Sequence, residues 1–392
     1  MQNVVILGST GSIGQNTLDV IARHPEQYKV LALTAHHSSA LLYQQCLSFK
    51  PDVAILGSAD LAKDLQQRLV DANLTTTVRY GSAALQEIVS APEVHTVVAG
   101  IVGGAGLLPT LSAIKAGKRV LLANKEALVM AGALMMDAVQ ESGATLLPVD
   151  SEHNALFQCM PPDFKPGTCP HGVERLILTA SGGPFRNFSL ADLIKVTPEE
   201  AVKHPNWVMG PKISVDSASM MNKGLELIEA HYLFQMPIDA IDIILHPQSV
   251  IHSLVEYRDG SLLAQLGQPD MRVPIASALS WPARIHSGVS AINLLEMGAL
   301  TFEKPDVVRF PCLRLATEAL KAGGIMPTVL NASNEVAVSA FLKGYCRFTE
   351  IPTMIEEVMN QVCNQTVRAI EDILEADRLA RDWAQQFVAQ RV

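Results

Sequence analysis

The chain has 392 residues, of which 48% are hydrophobic and 18% charged, and its formal net charge is −9. This length exceeds what one hydrophobic core supports, so two or three domains are expected, and the composition excludes a disordered chain. The negative charge argues against nucleic-acid and membrane partners, so any phosphate ligand should be small. Six cysteines without a CxxC pair are typical of a reducing compartment, and we expect a cytoplasmic protein.

Two segments bear on targeting. The N-terminus has only a short apolar run, 4–7, before glycines begin, which argues against a signal peptide. Residues 94–114 contain no Asp, Glu, Lys or Arg and are nearly long enough to span a membrane. Glycines at their centre instead predict a buried strand at 95–102, a turn and the start of a helix.

Residues 1–149 alternate short apolar runs with helix-like stretches such as 17–23 and 59–72. Runs that are apolar throughout predict strands buried on both faces. Their alternation with helices predicts a Rossmann-like α/β domain with a doubly wound parallel sheet. Besides 95–102, the predicted strands are 4–7, 30–34, 53–56, 120–124 and 145–150.

The pattern changes after residue 149. We predict that residues 150–282 form a central α/β domain with a hairpin turn at Arg258-Asp259-Gly260. Residues 283–311 are predicted to be a connector, and residues 312–392 a C-terminal helical domain. The predicted strands of the central domain are 177–181, 241–246, 249–257 and 261–267. The predicted C-terminal helices are 312–322, 328–343, 350–364 and 368–391.

The first strand runs directly into Gly8-Ser9-Thr10-Gly11-Ser12-Ile13-Gly14, and a helical stretch follows. Glycines permit a tight turn, and amide groups at the start of the helix can face a pyrophosphate, so this turn predicts a dinucleotide site rather than an ordinary glycine-rich turn. The second strand ends before His36, His37 and Ser38, with no acidic residue for ribose hydroxyls. This favours NADP(H), although solvated loop histidines are the alternative.

Polar residues also follow later strands. Asn124, Lys125 and Glu126 come directly after an apolar run. Lys125 could be an ordinary surface lysine, but a charged residue beside a buried strand is more often held there for a function. Asp150 and Glu152 follow the last strand of the first domain. Their carboxylates suit Mg²⁺ or Mn²⁺, and the alternative is a solvated or helix-capping acidic pair.

The stretch 216–230 predicts a helix with a polar face. Asn222, Lys223 and Glu226 have the spacing that brings side chains to one face of a helix, with Ser217 near its start. An exposed salt bridge is the plainer interpretation. Gly224 lowers helix stability, however, and indicates that something approaches the helix closely.

Two loops add candidates. Ser181, within Ala180-Ser181-Gly182-Gly183-Pro184, offers a hydroxyl in a flexible turn suited to a phosphate. The loop 204–210 contains His204 and Trp207, and its flanking proline and glycine are typical of a lid that excludes water. A core position for Trp207, anchoring a long loop, is an equal alternative.

Long motifs in this order resemble the 1-deoxy-D-xylulose 5-phosphate reductoisomerase family: GSTGSIG, LLANKE, LPVDSEHNA, SGGPFR, HPNW, SVDSASMMNKGLE and HPQSVIHS. The resemblance extends over nearly the whole chain. It implies an NADPH-binding domain, a catalytic domain, a helical C-terminal domain and a homodimer. One departure is that many members have Gly-Lys-Asn where this chain has His36-His37-Ser38.

The resemblance also implies roles for individual residues. The metal ligands are expected to be Asp150, Glu152 and Glu226. The substrate is expected to contact Lys125, Ser151, Ser181, His204, Ser217, Asn222 and Lys223, with Trp207 and Met209 on the closing flap. NADPH is expected to contact Thr10, Gly11, Ser12, Ile13, Asn124, Glu126 and Gly210.

The activity implied is rearrangement and NADPH-dependent reduction of 1-deoxy-D-xylulose 5-phosphate to 2-C-methyl-D-erythritol 4-phosphate, in the non-mevalonate isoprenoid precursor pathway. A divalent ion on the carbonyl and hydroxyl oxygens of the substrate would act as a Lewis acid. Two other interpretations stay open at this point: a simple NADP-dependent dehydrogenase of a sugar phosphate or semialdehyde, and a non-catalytic NADPH sensor.

Overall fold

The computed structural model describes residues 1–207 and 209–390. Its contacts divide the chain into two compact units. Unit 1 comprises Met1–Ala127, Met135–Asn154 and Asp270–Ser290. Unit 2 comprises Leu128–Leu134, Ala155–Pro269 and the described chain from Ala291 onward. The division predicted from the sequence, with boundaries after residues 149, 282 and 311, stays a prediction.

Unit 1 is built on a seven-stranded parallel sheet, which confirms the predicted doubly wound arrangement. The strands are β1 (Gln2–Leu7), β2 (Tyr28–Thr34), β3 (Val53–Leu56), β4 (Thr77–Tyr80), β5 (Thr96–Ala99), β6 (Arg119–Leu122) and β7 (Thr145–Pro148). Their order is β4-β3-β2-β1-β5-β6-β7, so the direction of winding reverses between β1 and β5. Ligands of such sheets bind at the carboxyl ends of the strands beside this reversal.

Unit 2 contains a four-stranded mixed sheet. Its strands are β8 (Val173–Ala180), β9 (Ile241–Leu245), β10 (Ile251–Tyr257) and β11 (Leu262–Leu266). In the order β11-β10-β8-β9, β10 is antiparallel to both neighbours and β8 is parallel to β9. The predicted hairpin between β10 and β11 is confirmed, and Gly260 adopts the positive φ of 85° that this tight turn requires.

The helices follow the apolar periodicity of the sequence. They are α1 (Ser12–Ala22), α2 (Ser39–Phe49), α3 (Ala59–Asp71), α4 (Gly81–Ser90), α5 (Leu107–Lys115), α6 (Lys125–Ser142), α7 (Ser151–Gln158), α8 (Leu190–Leu193), α9 (Pro198–Ala201), α10 (Pro211–Ala218), α11 (Met221–Phe234), α12 (Arg272–Ser280), α13 (Pro311–Ala322), α14 (Met326–Leu342), α15 (Glu350–Gln361) and α16 (Ile370–Ala389). In unit 2, α10, α11 and the helices α13 to α16 share one apolar core, in which Phe341 and Phe348 are buried.

Some predicted elements differ from the observed ones. Strand β4 was not predicted, because its residues are half exposed and lack an apolar run. The predicted strand at 95–102 is shorter, since the chain leaves the sheet at Gly100 to form the glycine-rich turn. The end of the helix predicted at 368–391 lies partly outside the described residues. Within the described ranges, no helix is both long enough and apolar enough to cross a membrane.

Candidate active site

The turn after β1 requires glycine at both ends. Gly8 has a φ of 75°, and a Cβ atom on it would lie 2.8 Å from the carbonyl oxygen of Gly100. A Cβ atom on Gly14 would lie 2.3 Å from the Cα of Ser9, so the start of α1 packs directly on the turn. No described side chain caps α1 at Gly11. The amide groups of its first turn are therefore available to an anion such as a pyrophosphate.

The residues proposed to select NADP(H) lie at the end of β2. The rings of His36 and His37 are 3.9 Å apart in an edge-to-face arrangement, and both side chains are exposed. Gly57, after β3, lies against His36, since a Cβ atom there would be 2.7 Å from the ring. The two imidazoles thus lie at the carboxyl ends of the parallel strands. Their contact with the 2'-phosphate of NADPH stays a prediction.

Asn124 connects the glycine-rich turn after β5 to the start of α6. Its Oδ1 accepts the N–H of Ala127 at 2.8 Å, and its Nδ2 donates to the carbonyl oxygen of Gly103 at 2.9 Å. A Cβ atom on Gly106 would lie 2.1 Å from Nδ2, so only glycine fits beside the amide. The amide therefore shapes the turn. Direct contacts of Asn124 and the buried Glu126 with NADPH stay predictions.

Unit 1 contributes a buried cluster of charged side chains. The ammonium of Lys125, at the start of α6, pairs with Oδ2 of Asp150, and Nδ1 of His153 lies 3.2 Å from Oδ1. Burial alone would raise the pKa of Asp150, but Lys125 and then His153 lower it well below its usual value. Asp150 is therefore a carboxylate at neutral pH. Beside it, the hydroxyl of Ser151 donates to Glu152 at 2.7 Å.

In unit 2, Ser181 and His204 form a hydrogen-bonded pair. The Nδ1 atom of His204 accepts the N–H groups of Asn206 at 3.2 Å and Trp207 at 3.0 Å, which assigns the ring proton to Nε2. Nε2 then donates to Oγ of Ser181 at 2.9 Å, and the N–H of Gly183 donates to the same oxygen at 3.1 Å. Because both lone pairs of the Ser181 oxygen accept hydrogen bonds, the role left to its own O–H is that of a donor, which suits a phosphate oxygen.

Ser217 lies next to this turn. A Cβ atom on Gly183, which has a φ of 68°, would be 2.9 Å from the carbonyl oxygen of Ser217. The adjacent Asp216 is buried and is held by Lys212 at 2.9 Å and by the Nδ2 of Asn334 at 2.8 Å. Sequence reasoning did not single out this buried group, and no spacing rule connects residues 118 positions apart.

Glu226 is the central acidic residue of α11. It is only 1% exposed, and it accepts hydrogen bonds from Asn222 and Lys223 on the same helix face. The predicted shared face is thus present, and it is largely buried rather than solvated. The prediction that Ser217 lies near the start of this helix is wrong, because Met220, with a φ of 63°, separates α11 from α10, and Ser217 lies at the end of α10. Gly224 does permit a close approach, but by another helix: a Cβ atom there would lie 2.5 Å from Cβ of Ala316 on α13.

The loop that precedes α10 places Trp207 partly exposed, with its ring centroid 6.0 Å from that of His252. Met209 is also partly exposed and Gly210 exposed, while Val208 lies outside the described residues. Partial exposure is compatible with a flap. The assignment of Trp207, Met209 and Gly210 to flap and cofactor contacts stays a prediction.

Unit 1 has a Rossmann-type sheet with a glycine-rich phosphate turn, and unit 2 presents hydroxyl, imidazole and lysine groups. These features define the class as a dinucleotide-dependent enzyme that acts on a small anionic substrate. The family model of 1-deoxy-D-xylulose 5-phosphate reductoisomerase matches residues 4–132, and the model of the C-terminal domain of that enzyme matches residues 146–234. A further model, described as the DXP reductoisomerase C-terminal domain, matches residues 266–383. The chain belongs to the 1-deoxy-D-xylulose 5-phosphate reductoisomerase family.

Individual relatives agree with this assignment. The reductoisomerase of Paraburkholderia phytofirmans is 56% identical over 389 residues, 99% of this chain and 96% of that protein. That of Burkholderia pseudomallei strain K96243 is 57% identical over 390 residues, 99% and 97% of the two chains. A crystal structure of DOX-P reductoisomerase with NADPH, fosmidomycin and magnesium has a TM-score of 0.93, 44% identity and coverage of 99% and 98%. The Zymomonas mobilis enzyme with NADPH has a TM-score of 0.91, 47% identity and coverage of 99% of each chain.

Proposed function

We propose that the protein converts 1-deoxy-D-xylulose 5-phosphate into 2-C-methyl-D-erythritol 4-phosphate, with NADPH as the hydride donor and Mg²⁺ or Mn²⁺ as the metal. The reaction consumes NADPH and one proton and releases NADP⁺. The observation that carries the proposal is that two carboxylates with little exposure to solvent, Asp150 and Glu226, are each paired with a lysine. A simple dehydrogenase needs no such carboxylates, and the family match favours the reductoisomerase.

The metal would be held by Asp150, Glu152 and Glu226. Carboxylate oxygens are the ligands that Mg²⁺ and Mn²⁺ prefer, and a solved relative contains magnesium. When bound, the ion supplies Lewis-acid stabilisation of negative charge on the substrate oxygens. Lys125 is paired with Asp150, and Lys223 is paired with Glu226. Both lysines would exchange these partners for substrate groups.

The substrate phosphate would be bound by groups of unit 2. Ser181 would donate its O–H to the phosphate. The Nε2–H of His204, which is now donated to Ser181, would exchange that oxygen for a phosphate oxygen. Ser217, Asn222 and Lys223 would complete the set. A phosphate held far from the reacting carbons contributes binding energy that orders the reacting end and closes the loop 204–210.

The cofactor would lie along the carboxyl ends of the sheet of unit 1. The pyrophosphate would face the amides of Thr10 to Ile13, and the 2'-phosphate would face His36, His37 and Ser38. Two solved relatives are complexes with NADPH, which supports this choice of cofactor.

We further propose a cytoplasmic homodimer. All six cysteines are free thiols, which supports a reducing compartment.

Strand β11 is an edge strand, and Leu262, Leu263 and Leu266 on it are 50%, 48% and 38% exposed. An apolar sheet edge of this kind favours pairing with the same edge of a second copy. Light scattering of the wild type and of Leu263→Lys tests this, and a wild-type monomer would contradict it.

The decisive experiment measures NADPH oxidation with 1-deoxy-D-xylulose 5-phosphate, with and without a chelator, and identifies the product by mass spectrometry. We expect turnover that stops with the chelator, returns with Mg²⁺ or Mn²⁺, and is inhibited by fosmidomycin. Turnover that is unchanged by complete metal removal would favour the simple dehydrogenase.

A further inference from the structure

Asn206 makes two side-chain hydrogen bonds that none of the roles above uses. It lies in the loop before α10, and its Nδ2 donates to the carbonyl oxygen of Pro247 at 2.8 Å and to Oγ of Ser249 at 2.9 Å. Both acceptors belong to the turn between β9 and β10. One side chain therefore attaches the candidate lid loop to the sheet of unit 2.

The turn that receives Asn206 is itself fixed. His246 is fully buried and its Nδ1 donates to the carbonyl oxygen of Thr301 at 3.1 Å, while Nε2 of Gln248 donates to the hydroxyl of Thr301 at 2.8 Å. Ser249 is buried and has a φ of 51°, in the left-handed region that non-glycine residues rarely adopt. The surrounding contacts thus maintain an unfavourable backbone conformation in which Oγ of Ser249 faces Asn206.

The backbone around Asn206 also determines where the ring of His204 lies. The N–H groups of Asn206 and Trp207 are the donors to Nδ1 of His204, and this leaves Nε2–H directed at Ser181. A displacement of Asn206 would therefore turn the imidazole and withdraw its proton from Ser181. The indole of Trp207 would move with the same peptide groups.

We infer that Asn206 and Ser249 form a latch that positions His204 and Trp207 for the phosphorylated substrate. The inference rests on the proposed function, because it takes His204 as a phosphate-binding group. Asn206 is a positioning residue, since it acts through the loop backbone and the ring of His204. The latch lies in unit 2, and of the residues expected to contact NADPH only Gly210 shares its loop, so NADPH binding should respond to the latch much less than sugar-phosphate binding does.

The test compares Asn206→Ala, Ser249→Gly and the double variant with the control Asn293→Ala. Ser249→Gly removes the hydroxyl while suiting the positive φ, so a loss of function cannot be attributed to backbone strain. Asn293 is an exposed asparagine in the same unit whose Nδ2 donates to Glu296 at 2.7 Å. The measurements are KM for 1-deoxy-D-xylulose 5-phosphate, KM for NADPH, and acrylamide quenching of Trp207, isolated by subtracting Trp207→Phe in each background.

We expect Asn206→Ala to raise the KM for the sugar phosphate roughly tenfold, and Ser249→Gly about threefold because the Pro247 acceptor remains. The double variant should resemble Asn206→Ala, since its two changes remove the same contact. The KM for NADPH should change much less than the KM for the sugar phosphate, Trp207 should be quenched more strongly, and Asn293→Ala should match the wild type.

Strictly additive effects, or a wild-type KM and wild-type quenching in Asn206→Ala, would overturn the latch. A wild type that does not turn over the sugar phosphate would instead overturn the proposed function. If Asn206→Ala does not fold, Ser249→Gly decides by the same two readouts.

Discussion

Replacing Glu226 by Gln separates the metal-binding role of this carboxylate from its structural role. Glu226 is buried and accepts from both Asn222 and Lys223, and the side chain of Lys223 is only 4% exposed. Glutamine keeps the size of the side chain, but it removes the anion opposite the ammonium and one of the three proposed metal ligands. Both consequences can be measured in one variant.

The structural consequence follows from the burial of the pair. Removing one partner of a buried ion pair destabilises a protein by about 3–5 kcal/mol. For a unit of this size, that loss lowers the melting temperature by roughly 6 to 20 °C. The functional consequence is a loss of metal affinity, because loss of even a group that supports a metal ligand weakens metal binding about 10- to 100-fold, and loss of the ligand itself should exceed this.

The assay is a titration of NADPH oxidation with Mg²⁺ and with Mn²⁺ at a temperature where the variant is folded. We expect almost no turnover of Glu226→Gln at ordinary Mg²⁺, while NADPH binding, followed by its fluorescence, is retained. The control is Glu318→Gln, which removes an exposed partner of Arg314 and should leave stability within about 1 kcal/mol and activity unchanged. Wild-type turnover of Glu226→Gln at ordinary Mg²⁺ would refute the assignment of Glu226 as a ligand.

Three further outcomes are expected. Trp207→Ala should lower kcat/KM with little change in melting temperature, because Trp207 is partly exposed, whereas a core tryptophan would lose about 3–5 kcal/mol. The double change of His36 and His37 to Ala should raise the KM for NADPH far more than that for NADH, and equal effects would place specificity elsewhere. Arg272 lowers the pKa of Asp270, so their pair stabilises the fold above about pH 4 and less as the pH falls further. Urea unfolding of Arg272→Met should therefore show a loss of up to about 1 kcal/mol at pH 7, because the pair is partly exposed, and a smaller loss at pH 3.

Local pattern was sufficient for much of the fold. Runs such as VAIL at 53–56 coincide with a strand, because a strand covered on both faces has no polar position. The glycines of GSTGSIG could be predicted for a similar reason: the turn geometry excludes a Cβ atom at Gly8 and Gly14. The residue types of Asp150 and Glu152 predict a site for a hard metal ion from the sequence, and this assignment stays a prediction.

Contacts between segments that are distant in the sequence could not be predicted from local patterns, and only the tertiary structure shows them. Gly224 predicted a close approach to its helix, but only the structure shows that the approaching group is Ala316 on α13. Residues 270–290 belong with unit 1 although their sequence resembles a continuation of the preceding domain. Asn206 and Ser249 are 43 positions apart, and Asp216 and Asn334 118 apart. Periodicity reports which face of a segment is buried, but the partner across that face depends on how separate segments pack, and only the folded chain specifies it.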